Sequence, residues 1–351
     1  MVIRMELSEL QKEIVTAPDD KMVVIARAAV GKTTVLTERV RYWLQQGIEP
    51  SEICCITFTN LAANEMQVRL GSDYKDGMFI GTIHSLAAQF LVKGGYGASV
   101  GKAINEEKFD LFFSYIKKDP SCIEHYSYVL VDEAQDLSHD EYDFIFNMIR
   151  PNCFFVVGDP FQCIYENLKG ASSYYMEKLL EDSSVGQYDL NENYRNKANI
   201  LNYAQKALIP LRLKDNSIPM NIGGKIYETK FSIEQLVNWI NSMDTYKDWA
   251  VLCYSNNDID YIMDKLDDYG IPTLNFNQRK KTKKEIDDLM SQNKVKVLTV
   301  WGAKGLGFPN VVVFGTNWMA SSRQSRSRRT ESARVNYVAY TRAMNSLMVC
   351  K

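Results

Sequence analysis

Met22-Val-Val-Ile-Ala-Arg-Ala-Ala-Val-Gly-Lys-Thr-Thr34 is an apolar run that opens into a loop of small residues and closes on a Gly-Lys-Thr triplet. Met22–Ala26 reads as a buried strand, and a helical pattern follows from Val35 through Trp43. Strand, loop and helix in that order gather backbone N–H groups around one point, the arrangement that binds phosphate. In such a loop Lys32 reaches the β- and γ-phosphates and Thr33 serves magnesium, while Ala28, Ala29, Val30, Gly31 and Thr34 complete the cradle. The strict pattern is not met, because Ala26 stands where its first glycine belongs. The triplet is common in proteins, so a second site has to support it.

That support lies about 100 residues downstream, in Tyr128-Val-Leu-Val-Asp-Glu-Ala-Gln-Asp136. An apolar strand ends here in paired carboxylates. At a strand's C-terminal end Asp132 can hold magnesium through water, while Glu133 faces the γ-phosphate and orients or deprotonates an attacking water. The plainer reading is a strand followed by an acidic helix cap, and the phosphate loop upstream argues against it.

Similar runs recur at Cys54–Phe58, Cys153–Val157, Trp249–Tyr254, Val295–Val300, Val311–Phe314 and Leu347–Val349. Bounded by Gly, Pro, Asp or Asn and separated by helix-length segments, they mark parallel α/β sheets buried on both faces. Four of the eight runs fall before residue 160 and four after 245, which predicts two α/β domains. The stretch between, with Pro210, Pro219 and Gly223-Gly224, reads as connecting loop and turn. No internal repeat or low-complexity segment is visible.

Composition bounds the function without naming it. The 351 residues are 46% hydrophobic and 24% charged, ordinary for a globular protein of two or three domains. A net charge of -2 lacks the basic footprint that nucleic-acid binders usually leave, although a groove can be locally basic on a neutral protein. Two basic clusters, Arg279-Lys-Lys-Thr-Lys-Lys284 and Arg323, Arg326, Arg328 and Arg329, read either as solvated surface or as contacts to a phosphate backbone. The seven cysteines contain no C-x-x-C pair, which suits neither a zinc ribbon nor a disulfide framework. The start lacks an apolar h-region and no run approaches the ~20 apolar residues of a membrane span. The expected setting is therefore the cytoplasm, with no membrane partner.

The order of the remaining motifs is more specific than either site. Leu10-Gln-Lys-Glu-Ile-Val15 precedes the loop, and Thr57-Phe-Thr-Asn-Leu-Ala-Ala-Asn-Glu-Met66 and Gly81-Thr-Ile-His-Ser-Leu86 follow it. Asp132-Glu-Ala-Gln135, Val157-Gly-Asp-Pro-Phe-Gln-Cys-Ile-Tyr165 and Asn191-Glu-Asn-Tyr-Arg195 come next. Thr299-Val-Trp-Gly-Ala-Lys-Gly-Leu-Gly-Phe308 and Tyr337-Val-Ala-Tyr-Thr-Arg-Ala343 close the series. In this order they resemble motifs Q, Ia, Ib, II, III, IV, V and VI of the UvrD/Rep/PcrA-type superfamily 1 DNA helicases, from about Leu7 to the end.

The resemblance implies an α/β fold of two RecA-like parallel-sheet domains, residues 1–188 and 189–351, with the nucleotide site in the cleft between them. A short insertion is expected at about 91–127. ATP and Mg2+ are the implied cofactors and single-stranded DNA the implied partner. Gln11 would read the adenine, Tyr194 would stack on it, and Gly305 would lie against the nucleotide. Gln162 would sense the γ-phosphate, and Arg195 and Arg342 would contact it as arginine fingers. On the DNA side Phe58 would stack on a base with Tyr165 nearby, while Thr57, Thr59, Asn60, Thr82 and His84 would contact the backbone. Stacking tolerates any base, which suits a motor that must not stop at particular sequences. Taken singly, Phe58 reads as a core aromatic and His84 as a capping or buried histidine.

The chain also departs from the family pattern. Ala29 and Val30 replace a glycine and a Ser or Thr, Arg27 replaces a common glycine, and Trp301 and Gly307 replace a histidine and a glutamate. That glutamate generally meets the ribose. If position 29 requires φ > 0, alanine costs on the order of 1 kcal/mol, and weakened nucleotide affinity is expected. Glu166-Asn-Leu-Lys169 stands where a glycine and a DNA-stacking aromatic are usual. Only about 40 residues separate motifs Ib and II, and about 100 separate IV and V, intervals that hold accessory domains in larger relatives. The expected function is an ATP-dependent DNA helicase or translocase, moving 3′→5′ by resemblance. The alternative is a nucleotide-gated nucleic-acid-binding subunit with little motor activity. A small-molecule P-loop kinase gives no account of Arg195, Arg342 or motifs Ia and Ib. No nuclease motif is visible, so a protein partner is the expected source of any cutting or accessory function.

Overall fold

Near-continuous apolar runs become the inner strands of two parallel sheets, because a strand covered on both faces has no side that favours polar residues. The computed structural model describes residues 6–165, 170–242, 245–276, 283–315 and 326–350. The chain divides into two compact units, Met1–Ala26 with Gly31–Leu190, and Arg27–Val30 with Asn191–Lys351.

The sheet of the first unit comprises β1 (Lys21–Ala26), β2 (Ile53–Thr57), β3 (Phe79–Thr82), β4 (Tyr128–Val131), β5 (Cys153–Gly158) and β6 (Gly186–Leu190). Their order is β3-β2-β4-β5-β1-β6, and every pairing is parallel. The six residues of β5 are all buried, as are the five of β2. Helices α1 (Glu9–Thr16), α2 (Lys32–Gln45), α3 (Asn60–Leu70) and α4 (Ile83–Lys93) precede or follow these strands. The expected insertion forms α5 (Gly97–Asn105) and α6 (Leu111–Lys118). It is no loose appendage: Val100, Ala103, Phe112, Phe113 and Ile116 join Leu86, Phe90 and Phe144 in one core. Each buried phenylalanine there contributes roughly 1.5–3 kcal/mol.

In the second unit β7 (Glu192–Lys197) and β8 (Ile218–Asn221) pair in parallel as a small separate sheet. The main sheet comprises β9 (Lys225–Thr229), β10 (Trp249–Cys253), β11 (Thr273–Asn275), β12 (Val295–Thr299), β13 (Phe308–Phe314) and β14 (Ala343–Cys350). Its order is β11-β12-β10-β13-β14-β9, again parallel throughout. Helices α7 (Ala198–Lys206), α8 (Ile233–Ile240), α9 (Asn256–Asp267) and α10 (Arg326–Tyr340) belong to this unit. Trp249 lies at the centre of its core with Leu236, Ile240, Ile262 and Val297.

Two expectations need correction. The stretch read as loop and turn between 160 and 245 carries β6 through β9 and three helices, Tyr174–Leu180, α7 and α8. Its strands β8 and β9 keep most residues exposed or half-exposed, so they lack the apolar run that betrays an inner strand. The division expected at 188/189 falls inside β6, which pairs along β1 from Met22↔Gly186 to Ala26↔Leu190 and carries the first sheet to Leu190. Among the described residues no helix is long and apolar enough to cross a membrane.

Candidate functional site

The loop after β1, the acids after β4, the Asp159–Gln162 turn after β5, and the segments after β2 and β3 all follow C-terminal strand ends of the first sheet. That edge is where open α/β sheets bind ligands. Gly31 enters α2 at φ +86°, and a Cβ there would lie 2.8 Å from Gln11 Nε2, so both backbone and space demand glycine. Gln11 is buried and forms a capping box: the Ser8 N–H donates to its Oε1 at 3.1 Å, and its own N–H donates to Ser8 Oγ at 3.2 Å. The expected adenine reader is thus fixed beside the phosphate loop. Thr33 and Thr34 lie in the first turn of α2, half-buried.

Lys32 Nζ stands 2.8 Å from Glu133 Oε1. Glu133 has φ +52°, a left-handed conformation uncommon for residues other than glycine. Asp132 Oδ1 accepts from the Glu133 N–H at 2.9 Å. From Glu133 the contacts continue inward. Gln135 Nε2 donates to Glu133 Oε2, and Gln135 Oε1 accepts from the Asp159 N–H at 2.8 Å. Gln162 Nε2 then donates to Asp159 Oδ2 at 2.7 Å. Gln135, Asp159 and Gln162 are all buried. One unbroken polar chain therefore joins the loop lysine to Gln162, and Gln135 and Asp159, which hold its middle, were not singled out by the sequence. Their signal was a buried-type position occupied by a polar residue, which becomes visible only once the strands are placed.

On the same edge Phe58 and Tyr165 stack with centroids 5.2 Å apart and planes at 26°. Both are half-buried, so each keeps an accessible part. The threonines expected to contact a nucleic-acid backbone bond within the chain. Thr57 is buried and donates to the Thr59 carbonyl at 3.0 Å. Thr59 and Thr82 cap α3 and α4, their hydroxyls accepting from Ala62 N at 3.1 Å and Ser85 N at 3.2 Å. Asn60 opens α3 and is exposed. His84 packs edgewise on Phe109 and against Phe113, 5.9 and 5.3 Å between centroids, with Asp110 Oδ1 at 4.0 Å from Nε2. The insertion therefore supplies the wall of His84.

In the second unit Arg195 and Arg342 meet at one acceptor. Their Nη1 atoms donate to the Leu306 carbonyl at 3.1 and 3.2 Å. Arg342 is buried and also donates from Nε to Val338 O and from Nη2 to Thr341 Oγ1, both at 3.0 Å. Burial pulls the Arg195 guanidinium below its ordinary pKa. A Cβ at Gly307 would fall 3.0 Å from Arg195 Nε, so the arginine runs where any side chain at 307 would begin. Gly305, in the turn after β12, has φ +86°. Tyr194 is 43% exposed, and its hydroxyl donates to Glu192 Oε2 at 2.7 Å. Arg27–Val30 group with this unit. Asn193 Nδ2 donates to Ala28 O at 2.9 Å, the Tyr194 N–H donates to Ala29 O at 3.1 Å, and Arg27 Nε lies 3.6 Å from Asp215 Oδ1. Ala29 does take φ +63°, and Val30 is fully buried.

Of the basic clusters, Arg279–Thr282 and Arg323 lie outside the described residues, as does 166–169; Lys284 and Arg329 are exposed. No cluster of three or more metal-ligating side chains occurs among the described residues. Asp132 and Thr33 adjoin Glu133 and Lys32, which the structure brings to 2.8 Å, and a carboxylate with a hydroxyl are donor types that fit magnesium, which is held by few protein groups plus substrate phosphates.

Comparison with known proteins gives a consistent picture. Residues 7–119 and 115–183 match the UvrD/REP helicase N-terminal domain, and residues 274–351 match the UvrD-like helicase C-terminal domain. DNA helicase II of Haemophilus influenzae is 26% identical over 72% of this chain and 48% of its own length. A probable DNA helicase of Mycoplasma pneumoniae is 24% identical over 98% of this chain and 83% of its own. The Gabija protein GajB of Bacillus cereus is 27% identical over 56% of this chain and 48% of its own. The chain thus spans about half the length of two of these relatives.

Proposed function

Because the chain belongs to the UvrD-like helicase family, we propose that it is an ATP-dependent motor on single-stranded DNA, translocating 3′→5′ and separating strands. The observation that supports this reading best is the unbroken contact path Lys32–Glu133–Gln135–Asp159–Gln162. It ends three residues before Tyr165, which stacks on Phe58. In this reading a change in the partners of Lys32 passes along that path toward the aromatic pair, which is what coupling hydrolysis to a strand requires.

In this proposal Lys32 neutralises the β- and γ-phosphates, and phosphate competes with Glu133 for it. Released from the lysine, Glu133 orients the attacking water and accepts its proton. Magnesium, held by Thr33 and Asp132, would neutralise charge on the phosphate oxygens. Gln11 and Tyr194 contact the adenine, while Arg195 and Arg342 stabilise the charge that develops as the γ-phosphoryl group departs. Phe58 and Tyr165 stack on bases. The N-terminal turns of α3 and α4, fixed by their Thr59 and Thr82 caps, present backbone N–H groups to the phosphates.

The test is ATP hydrolysis by the purified chain with magnesium at low salt, with and without single-stranded DNA. Strong stimulation by DNA supports the motor, and duplexes with a 3′ or a 5′ tail then report polarity. ATP-dependent DNA binding without turnover would replace the motor by a nucleotide-gated binding subunit.

A further inference from the structure

Two asparagines in β7, neither assigned a role so far, connect three segments of the second unit: the Ala28 end of the phosphate loop, Arg195, and the chain around Arg342. Asn193 and Asn196 are both fully buried. Asn193 Oδ1 accepts two backbone N–H groups, from Arg195 at 3.1 Å and from Asn196 at 2.8 Å. Its Nδ2 donates to Ala28 O at 2.9 Å and to Asn196 Oδ1 at 3.0 Å. Asn196 Nδ2 in turn donates to Thr341 O at 3.0 Å and to Ala343 O at 2.5 Å, the carbonyls on either side of Arg342. Each amide nitrogen thus spends both of its protons on acceptors, while Asn193 Oδ1 accepts two N–H groups and Asn196 Oδ1 accepts one. Only one orientation of each amide satisfies this pattern, and aspartate, which has no donor, cannot reproduce it.

The arrangement answers a physical problem. Arg195 and Arg342 carry like charges and converge on the single carbonyl of Leu306, where they repel one another. The shared carbonyl fixes the guanidinium ends but not the main chain that carries them. Something else must fix the two main-chain segments, and the asparagine pair grips both: the Arg195 N–H through Asn193, and the two peptides around Arg342 through Asn196. A fully satisfied buried network of this kind rigidifies what it joins.

We infer that Asn193 and Asn196 are positioning residues that hold the two arginines in register with each other and with the Ala28 carbonyl of the phosphate loop. The inference rests on the proposed role of the arginines at the departing phosphate. The pair does not touch nucleotide. It sets where the guanidiniums start from, so its loss lowers turnover rather than nucleotide binding.

The experiment is a double-mutant cycle on DNA-stimulated ATP hydrolysis with Asn196→Ala, Arg342→Ala and the double variant, together with binding of a fluorescent ATP analogue. Asn196→Ala is expected to lower kcat about 10- to 100-fold, the scale of a catalytic group displaced by about 1 Å, with KM nearly unchanged. In the Arg342→Ala background it should cost little more, because the arginine it positions is already gone. Asn196→Ser, which keeps one donor, should recover part of the loss, and it carries the same cycle if the alanine variant does not fold. Full additivity in the cycle, or equal loss of kcat and of analogue binding, overturns the inference and leaves the motor reading intact. A wild-type chain that binds no analogue overturns the motor reading itself, and the inference with it.

Discussion

At the carboxyl edge of the first sheet Lys32, Glu133, Gln135, Asp159 and Gln162 hold one another, mostly through side chains. In the second unit Arg195 and Arg342 are held mostly by main-chain carbonyls, directly at Leu306 and Val338 and indirectly through Asn196, with one side-chain acceptor, Thr341 Oγ1. In the proposed motor the contrast matches what each group would have to do. A lysine paired with a carboxylate is a charge already answered, so phosphate has to exchange for Glu133 before Lys32 can serve it. Arginines seated on a carbonyl and steadied by the amide pair are in place before the reaction begins, the preorganised state that stabilises a transition state without reorganisation. One side is built for exchange and the other for readiness.

The largest predicted effects break or keep that contrast. Lys32→Ala should abolish hydrolysis, by at least about 10³-fold, and also weaken nucleotide binding, since the lysine acts on bound phosphate from the start. Arg342→Ala should cost about 10³-fold in kcat with nucleotide affinity nearly kept. Glu133→Gln should abolish turnover as well but tighten ATP, because the competitor for Lys32 loses its charge. Dissociation of a fluorescent ATP analogue, measured beside turnover, separates the three. If Arg342→Ala weakens binding as much as Lys32→Ala, the two units do not differ in the way their contacts suggest.

Within the first unit the path itself can be cut at its neutral link. Gln135→Leu leaves the buried Asp159 N–H and Glu133 Oε2 without this partner, which should cost about 1–3 kcal/mol of stability. Urea denaturation measures that loss. A fall in DNA stimulation larger than the fall in DNA-free hydrolysis would sharpen the claim that the path carries coupling. Equal falls would reduce it to a structural bond.

How far the sequence disclosed this depends on what kind of signal each residue sends. Tyr128–Val131 and Trp249–Cys253 announce themselves as apolar runs because their strands are covered on both faces. Ile218–Asn221 and Lys225–Thr229 do not, since their exposed positions permit polar residues and even Pro219. Lys32 and Glu133 were legible as charge types at strand ends, and the structure brings them to 2.8 Å. Asn193 and Asn196 were not, although Asn193 lies within a quoted motif and Asn196 directly follows it. Their partners at 28, 341 and 343 come from distant segments, and no local pattern records that register. Thr57 sends a different signal: its residue type suits a phosphate contact, and on its buried strand the hydroxyl donates to the Thr59 carbonyl.

The aromatic pair offers a smaller and more local test. Phe58→Ala removes one face of the Phe58–Tyr165 stack. If that face serves a base, single-stranded DNA affinity should fall by roughly 1–3 kcal/mol while hydrolysis without DNA persists. Fluorescence anisotropy with a labelled oligonucleotide reads the first, and the DNA-free assay reads the second. Loss of both together would mean that Phe58 is a core residue after all.

The smallest effect concerns Ala29 and asks which part of the molecule bears the strain of the phosphate loop. Its φ of +63° disfavours alanine, and from the sequence that strain was expected to weaken nucleotide binding. Yet the conformation is fastened by the chain itself, by Asn193 on the Ala28 carbonyl and the Tyr194 N–H on the Ala29 carbonyl. Strain held by intramolecular bonds is a cost to folding, and binding has no need to supply it again. Ala29→Gly should therefore raise stability, by no more than about 1 kcal/mol once the greater freedom of glycine in the unfolded chain is counted. ATP affinity should change less than about twofold, under 0.5 kcal/mol. A several-fold gain in affinity without a gain in stability would mean the opposite, that position 29 reaches φ > 0 only when phosphate pulls it there.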